Sequence, residues 1–327
     1  MAEAKFCFLF RLIKTIKEKM MSQINLKRIA PLFVILGASL WGVDGIVLRP
    51  LLVSLPVPLV VFVESALVAL LLTPIFFRKF RSLKNLQTGD WLAFLGVAIL
   101  GGALGTMAIT RALFYVNFVN LSIVILIQKL QPAFAIVLAH MFLKEKPSRE
   151  FYIWAGVAVI GAYFLTFGAN PPDIYTGDKT TLAAFFAIIA ALSFAASTVL
   201  SKRALKNIDF RMGTYLRFGM TAIIMLMIAG SMGDLSAAGD ITTSQGLIFL
   251  IIAFTSGGTA IFLYYYGLKE ISASVATICE LAFPLTAVLL EYILRGNFLG
   301  WFQLTGAAIL ILSITRVSIL NAKTASR

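Results

Sequence analysis

Apolar residues run in long blocks, broken by short clusters of charge, from Ile29 to Leu320. A membrane-crossing helix needs roughly 17–25 mostly apolar residues. Ten blocks meet that length, at about 30–52, 57–77, 91–115, 119–143, 150–168, 180–204, 210–230, 246–268, 272–294 and 298–320. Several connections are very short, such as Val116 to Phe118, so helices adjacent in sequence must be antiparallel. The pattern predicts an all-α integral membrane protein of ten transmembrane helices.

Composition agrees with this reading. Hydrophobic residues make up 60% of the 327-residue chain and charged ones only 13%, about half the usual share for a soluble protein. The net charge of +13 does not indicate a nucleic-acid partner, because the basic residues sit between the apolar blocks. With the N-terminus on the cytoplasmic side, 22 of the 28 Lys and Arg fall on that side. Three, Arg49, Lys179 and Arg295, fall on the other, and Arg111, Lys129 and Arg217 lie within spans. The positive-inside rule then places both termini in the cytoplasm and the protein in the cell (inner) membrane.

The first 29 residues are basic and amphipathic, with Phe6, Phe8, Leu9, Leu12, Ile13 and Ile16 interleaved among Arg11, Lys14, Lys17 and Lys19. They read either as an interfacial helix or as sequence ahead of a true start at Met20 or Met21. Residues 321–327 form a cytoplasmic tail.

The chain also repeats itself. At a shift of 153, Trp41 falls on Phe194, Arg49 on Lys202 and Glu64 on Arg217; at 152, Gln128 falls on Glu280 and Pro132 on Pro284. Two five-helix units, 30–168 and 180–320, flank a linker at 169–179 that opens Ala169-Asn170-Pro171-Pro172. Five is odd, so the second unit enters the membrane inverted, an arrangement suited to alternating access.

Here the residues resemble a known family. Ala38-Ser39-Leu40-Trp41-Gly42 in the first span, a proline in the fourth followed by Phe142-Leu143-Lys144-Glu145-Lys146, and a Gly-rich fifth span look like the EamA-type branch of the drug/metabolite transporter superfamily. The resemblance covers about residues 30–320, and the order of these short motifs carries it. It implies a ten-helix bundle around a central cavity, and export or uptake of small metabolites driven by a gradient. The second half departs from the pattern, with Asn297 standing where Glu145 would predict a carboxylate.

Charge at membrane depth is costly, roughly 2.5–3.5 kcal/mol on insertion scales, and so marks candidate sites. Lys129 and Glu280 sit mid-span, each within one turn of a repeat-related proline, Pro132 or Pro284. Proline kinks the helix and frees a carbonyl one turn earlier. Gln128, Lys129, Gln131 and Glu280 are therefore expected at the midplane, in a substrate or ion pathway with Trp41 and Asp44. A structural Lys129–Glu280 ion pair is the alternative. Asp44, between Gly42 and Gly45, suits a gate or tight packing. Arg111, Arg217, Glu291, His140 and Glu64 are secondary candidates nearer the surfaces, where long side chains can snorkel. Tyr264-Tyr265-Tyr266 reads first as an interfacial aromatic belt.

Cys7 and Cys279 are far apart and His140 is the single histidine, so no metal centre is expected, and no cofactor. Walker A and Rossmann patterns and a nucleophile–base constellation are missing, which argues against an enzyme. The leading reading is a secondary transporter of amino acids or related metabolites, with export favoured and proton coupling open. A nucleotide-sugar or phosphate-ester carrier, which would want several deep cations, and a non-transporting membrane scaffold are the alternatives. Partners are then a small-molecule substrate and the lipid bilayer; monomer and homodimer are both open.

Overall fold

A computed structural model describes residues 26–76, 83–84, 86–115, 122–172, 179–296 and 298–325. The amphipathic N-terminal segment, the Val116–Phe118 connection, most of the linker and Asn297 lie outside the described residues.

Ten helices long and apolar enough to cross a membrane follow one another, and no strand occurs among the described residues. Helix α1 runs Leu26–Val43 and continues through a wide π turn at Asp44–Leu48 and a tight turn at Arg49–Leu52. Helix α2 is Val57–Phe76. Helix α3 comprises Thr88–Val97, a wide turn at Ala98–Leu104, and Gly105–Tyr115. Helix α4 is broken into Ser122–Gln128 and Gln131–Leu143, and α5 is Arg149–Phe167. Helices α6 and α7 are Thr180–Ala204 and Phe210–Met232. Helix α8 comprises Thr243–Ile252, a wide turn at Ala253–Gly257, and Gly258–Glu270. Helix α9 is broken into Ala273–Cys279 and Ala282–Arg295, and α10 is Trp301–Ala325.

Two spans begin three residues before the apolar blocks do, for a local reason. At α3 the Gln87 N–H donates to Asp90 Oδ2 at 3.1 Å, and at α8 the Thr242 N–H donates to Gln245 Oε1 at 3.0 Å. Polar capping boxes satisfy the first-turn donors and extend each helix past its apolar run.

Helix pairing follows the repeat. Helix α1 packs along α8, and its repeat partner α6 packs along α3; α1 also packs on α9 as α6 does on α4. Helices α2 and α7 pair with each other, as do α5 and α10. Exchanging the two five-helix units maps these pairings onto one another. Ten crossings return the chain to its starting side; we call that side, with Leu26 and Ala325, the terminal face and the other the distal face.

Lipid tails are as apolar as leucine, so helices in a bilayer associate by close packing of small residues. Buried Ala183, Ala187, Ala190, Ala191 and Ala195 line α6. A Cβ on Gly267 of α8 would lie 2.6 Å from the Ala30 carbonyl of α1, and one on Gly306 of α10 would collide with the Leu165 backbone of α5. Large apolar side chains face outward instead, with Leu70 68%, Ile223 61% and Trp301 85% exposed. Gly306→Val is therefore expected to cost about 1–3 kcal/mol by overpacking. Gly156→Ala, whose Cβ meets nothing within 4 Å, should be neutral. Thermal unfolding of the purified variants in detergent checks both.

Candidate functional site

The site begins with the two helix breaks. Pro132 removes the N–H that would bond the Gln128 carbonyl, and Pro284 does the same to Glu280. The chain responds with tight turns: the Leu130 N–H donates to the Ile127 carbonyl at 2.9 Å and the Leu281 N–H to the Ile278 carbonyl at 3.2 Å. The Phe283 N–H takes up the Glu280 carbonyl at 2.9 Å. These breaks re-aim the polar side chains around them.

Glu280 is the hub. Tyr264 OH donates to its Oε1 at 2.6 Å, Thr198 Oγ1 to the same oxygen at 3.3 Å, and Gln131 Nε2 to its Oε2 at 3.0 Å. The four residues come from α9, α8, α6 and α4, so both repeats contribute. Thr198 and Tyr264 hydroxyls also meet at 3.1 Å. Beside them Tyr265 forms a second group, its hydroxyl lying 3.0 Å from Ser201 Oγ and accepting from Arg217 Nη1 at 3.4 Å. On the apolar side, the Trp41 ring stands 5.2 Å from that of Tyr264, tilted by 52°. The arrangement is a half-buried carboxylate held by neutral donors beside an aromatic wall. It offers hydrogen-bonding groups and an aromatic surface at one place.

A second cluster lies toward the distal face. Arg49 donates to Asp44 Oδ2 through Nε at 2.9 Å and Nη2 at 2.6 Å, and to Glu64 Oε2 at 3.2 Å. Asp44 opens the wide turn of α1 and is 6% exposed. Gly42 sits against Thr286 and the Phe283 carbonyl of α9. Nearer the distal surface, a cavity of about 190 Å³ is lined by Pro58, Met107, Arg111, Met232 and Asp234, among others. On the terminal face, Glu145 accepts from the Ala273 and Ser274 N–H groups at 2.8 and 3.0 Å, which fixes the start of α9.

The profile of the EamA-like transporter family matches residues 28–167 and again 181–319. The chain belongs to that family. It is 45% identical over 294 residues, 89% of this chain and 97% of the other, to the riboflavin transporter ImpX of Fusobacterium nucleatum subsp. nucleatum. It is 28% identical over 310 residues, 88% and 93% of the two chains, to the uncharacterized transporter YwfM of Bacillus subtilis. A solved crystal structure superimposes with a TM-score of 0.70 over 90% of this chain and 98% of that one, at 13% identity, a likeness of fold. The family and its relatives make this chain a membrane transporter of a small molecule.

Of the residues singled out from the sequence, Glu280, Gln131 and Trp41 meet at one place. Gln128 lies one turn away and donates through Nε2 to the Ala187 carbonyl of α6 at 3.0 Å. Lys129 is 8% exposed but forms no ion pair with Glu280, so the structural-pair alternative is set aside. Asp44 and Glu64 belong to the distal cluster. Arg217 turns inward over the Tyr265 ring, at 5.9 Å from its centre, and is no surface anchor. Arg111 is exposed at the distal cavity, Glu291 is half-buried near the distal end of α9, and exposed His140 places Nδ1 2.9 Å from the Glu145 carbonyl.

The aromatic-belt reading of the tyrosine run is corrected. Tyr264 and Tyr265 are buried in the polar core, and only Tyr266 turns aside, onto Phe33 and Phe210. Arg49, Thr198 and Ser201 were missed because each lies in an otherwise ordinary apolar or loop context. The available signals were Arg49's repeat match to Lys202 and the i, i+3 spacing of Thr198 and Ser201, which puts both on one face of α6.

Two substitutions separate structure from transport. Glu280→Gln keeps an oxygen for Tyr264 and Thr198, so expression and thermal stability should stay near wild type while transport falls roughly tenfold or more. Tyr264→Phe should lower stability by about 1.5–3 kcal/mol through the lost charged hydrogen bond. Transport assays and thermal unfolding of each variant read the contrast.

Proposed function

We propose that this transporter carries riboflavin or a close flavin analogue by alternating access of its two repeats. The carrying observation is the core around Glu280: a carboxylate and amide with hydroxyl groups, set beside the Trp41–Tyr264 aromatic pair. A flavin presents a flat ring system edged with donors and acceptors and bears a polyhydroxyl tail, and both parts find their chemistry there. The 45% identity to a riboflavin transporter along nearly its whole length supports the same reading. An amino acid, the expectation from sequence, would use a cation and a carboxylate at matched spacing. Neutral donors and aromatic rings surround Glu280 instead. A phosphate ester would want several cations, and Arg217 is held one step away behind Tyr265.

In this reading the terminal face is cytoplasmic, as the distribution of Lys and Arg indicates. Repeat-related breaks in α4 and α9, and repeat-related wide turns in α3 and α8, give the two units places to flex.

Purified full-length protein in liposomes should exchange labelled riboflavin against internal riboflavin, saturably, with competition by lumichrome but not by amino acids. Stacking on one aromatic side chain is worth about 1–3 kcal/mol, so Trp41→Ala should raise the KM roughly tenfold. Exchange of an amino acid with none of riboflavin would overturn the proposal.

A further inference from the structure

The inverted repeat allows one face of the molecule to be compared with the other, contact by contact. At the start of α3, Asn207 Nδ2 donates to Asp90 Oδ1 at 3.0 Å on the terminal face. Its counterpart on the distal face is present too: Gln245 Nε2 donates to Ser54 Oγ at 3.0 Å, with Gln245 155 residues after Asp90 and Ser54 153 before Asn207. This contact is the same in both units, so it belongs to the permanent frame.

Another contact is not the same. At the terminal end of α6, Lys202 Nζ donates to the Leu268 and Lys269 carbonyls, each at 2.9 Å, and ties α6 to the last turn of α8. The counterpart of Lys202 is Arg49, 153 residues earlier at the distal end of α1, and the corresponding turn of α3 carries Leu113 and Phe114. Arg49 turns away from that position. It folds back on α1 and α2, with Nη2 at 2.6 Å from Asp44 and 3.2 Å from Glu64. The equivalents of Asp44 and Glu64 in the second unit are Ser197 and Arg217, which offer Lys202 no such retreat. The first unit therefore has two places to put its cation, one of them on its own first two helices, whereas the carboxylates near Lys202, Glu145 and Glu270, stand beside the place it already occupies.

We infer that Arg49 is a switching residue of the transport cycle. It docks on Asp44 and Glu64 while Lys202 holds the terminal face closed, and it moves to the end carbonyls of α3 when the distal face closes. One guanidinium cannot serve both places, so the two closures exclude each other, as alternating access requires. The local backbone permits the movement. The wide turn Asp44–Leu48 directly precedes Arg49, and such turns store an extra residue that a helix can shift past. Asp44 Oδ1 is buried without a hydrogen bond, so the docked pair is incompletely satisfied and open to release. The inference rests on alternating access and is independent of which substrate is carried.

The test uses the full chain in liposomes without substrate, with spin labels at Val53 and Thr110 to read the distal face and at Lys146 and Lys206 to read the terminal face. Wild type should give two distances at each pair. Arg49→Gln should lower the distal-closed population roughly fivefold, and Asp44→Asn with Glu64→Gln should raise it by a similar factor. Arg49→Lys should restore the distribution, because a lysine performs the equivalent task at position 202. Opposite signs from the two kinds of variant distinguish a switch from a merely structural ion pair, whose loss would act in one direction. Shifts of the same sign, no shift, or failure of Arg49→Lys to restore it would overturn the inference. Should Arg49→Gln fail to assemble, the carboxylate variant carries the sign by itself. A single distance at both wild-type pairs would instead remove alternating access, leaving flavin binding to be judged separately.

Discussion

A helix in hydrocarbon has no water to take up a freed backbone group, so each departure from regular helix must be met by the protein itself. Among the described residues the departures in four helices are paired by the repeat, and α1 adds a wide turn at Asp44–Leu48 that its repeat partner α6 lacks. Helices α4 and α9 break at Pro132 and Pro284, and α3 and α8 widen at Ala98–Leu104 and Ala253–Gly257. At the α9 break the Phe283 N–H takes up the Glu280 carbonyl, and the half-buried Glu280 carboxylate draws its donors from Tyr264, Thr198 and Gln131. The remaining helix length is left to small residues that let backbones approach, with bulky ones turned to lipid.

The fold was largely legible in the chain because its two strongest signals, block length and repeat spacing, do not depend on tertiary detail. Ten apolar blocks have no soluble alternative, and the matched prolines marked the breaks in α4 and α9 before any geometry was known. The site was legible in part. Glu280 and Gln131 stood out because charge or amide at mid-span is rare. Tyr264 did not, because a tyrosine near the end of an apolar block is ordinary at a membrane surface, and only helix rotation distinguishes belt from core. Lys129 stood out by its depth, as Glu280 did, and is buried, while neutral donors from α4, α6 and α8 hold the Glu280 carboxylate. Arg49 was hidden by its position at the end of a span, where loop arginines are common.

Family membership and core geometry answer different parts of the functional question. The match over both halves makes the protein an EamA-like transporter. The proposed flavin reading rests on the residues around Glu280, a carboxyl group and an amide beside two aromatic rings. Because α4, α6, α8 and α9 all contribute to that core, any movement of one repeat against the other must alter it. On the proposed reading, binding and conformational change are joined at the same hydrogen bonds.

The central claim is that this core is the substrate site and that it opens alternately to the two sides. The most direct measurement places a single cysteine at Gln131, with Cys7 and Cys279 replaced, and modifies it with an impermeant thiol reagent in right-side-out and inverted vesicles. The account predicts labelling from both sides, and riboflavin should slow each. Labelling from neither side, or labelling from one side that riboflavin leaves unchanged, would contradict it.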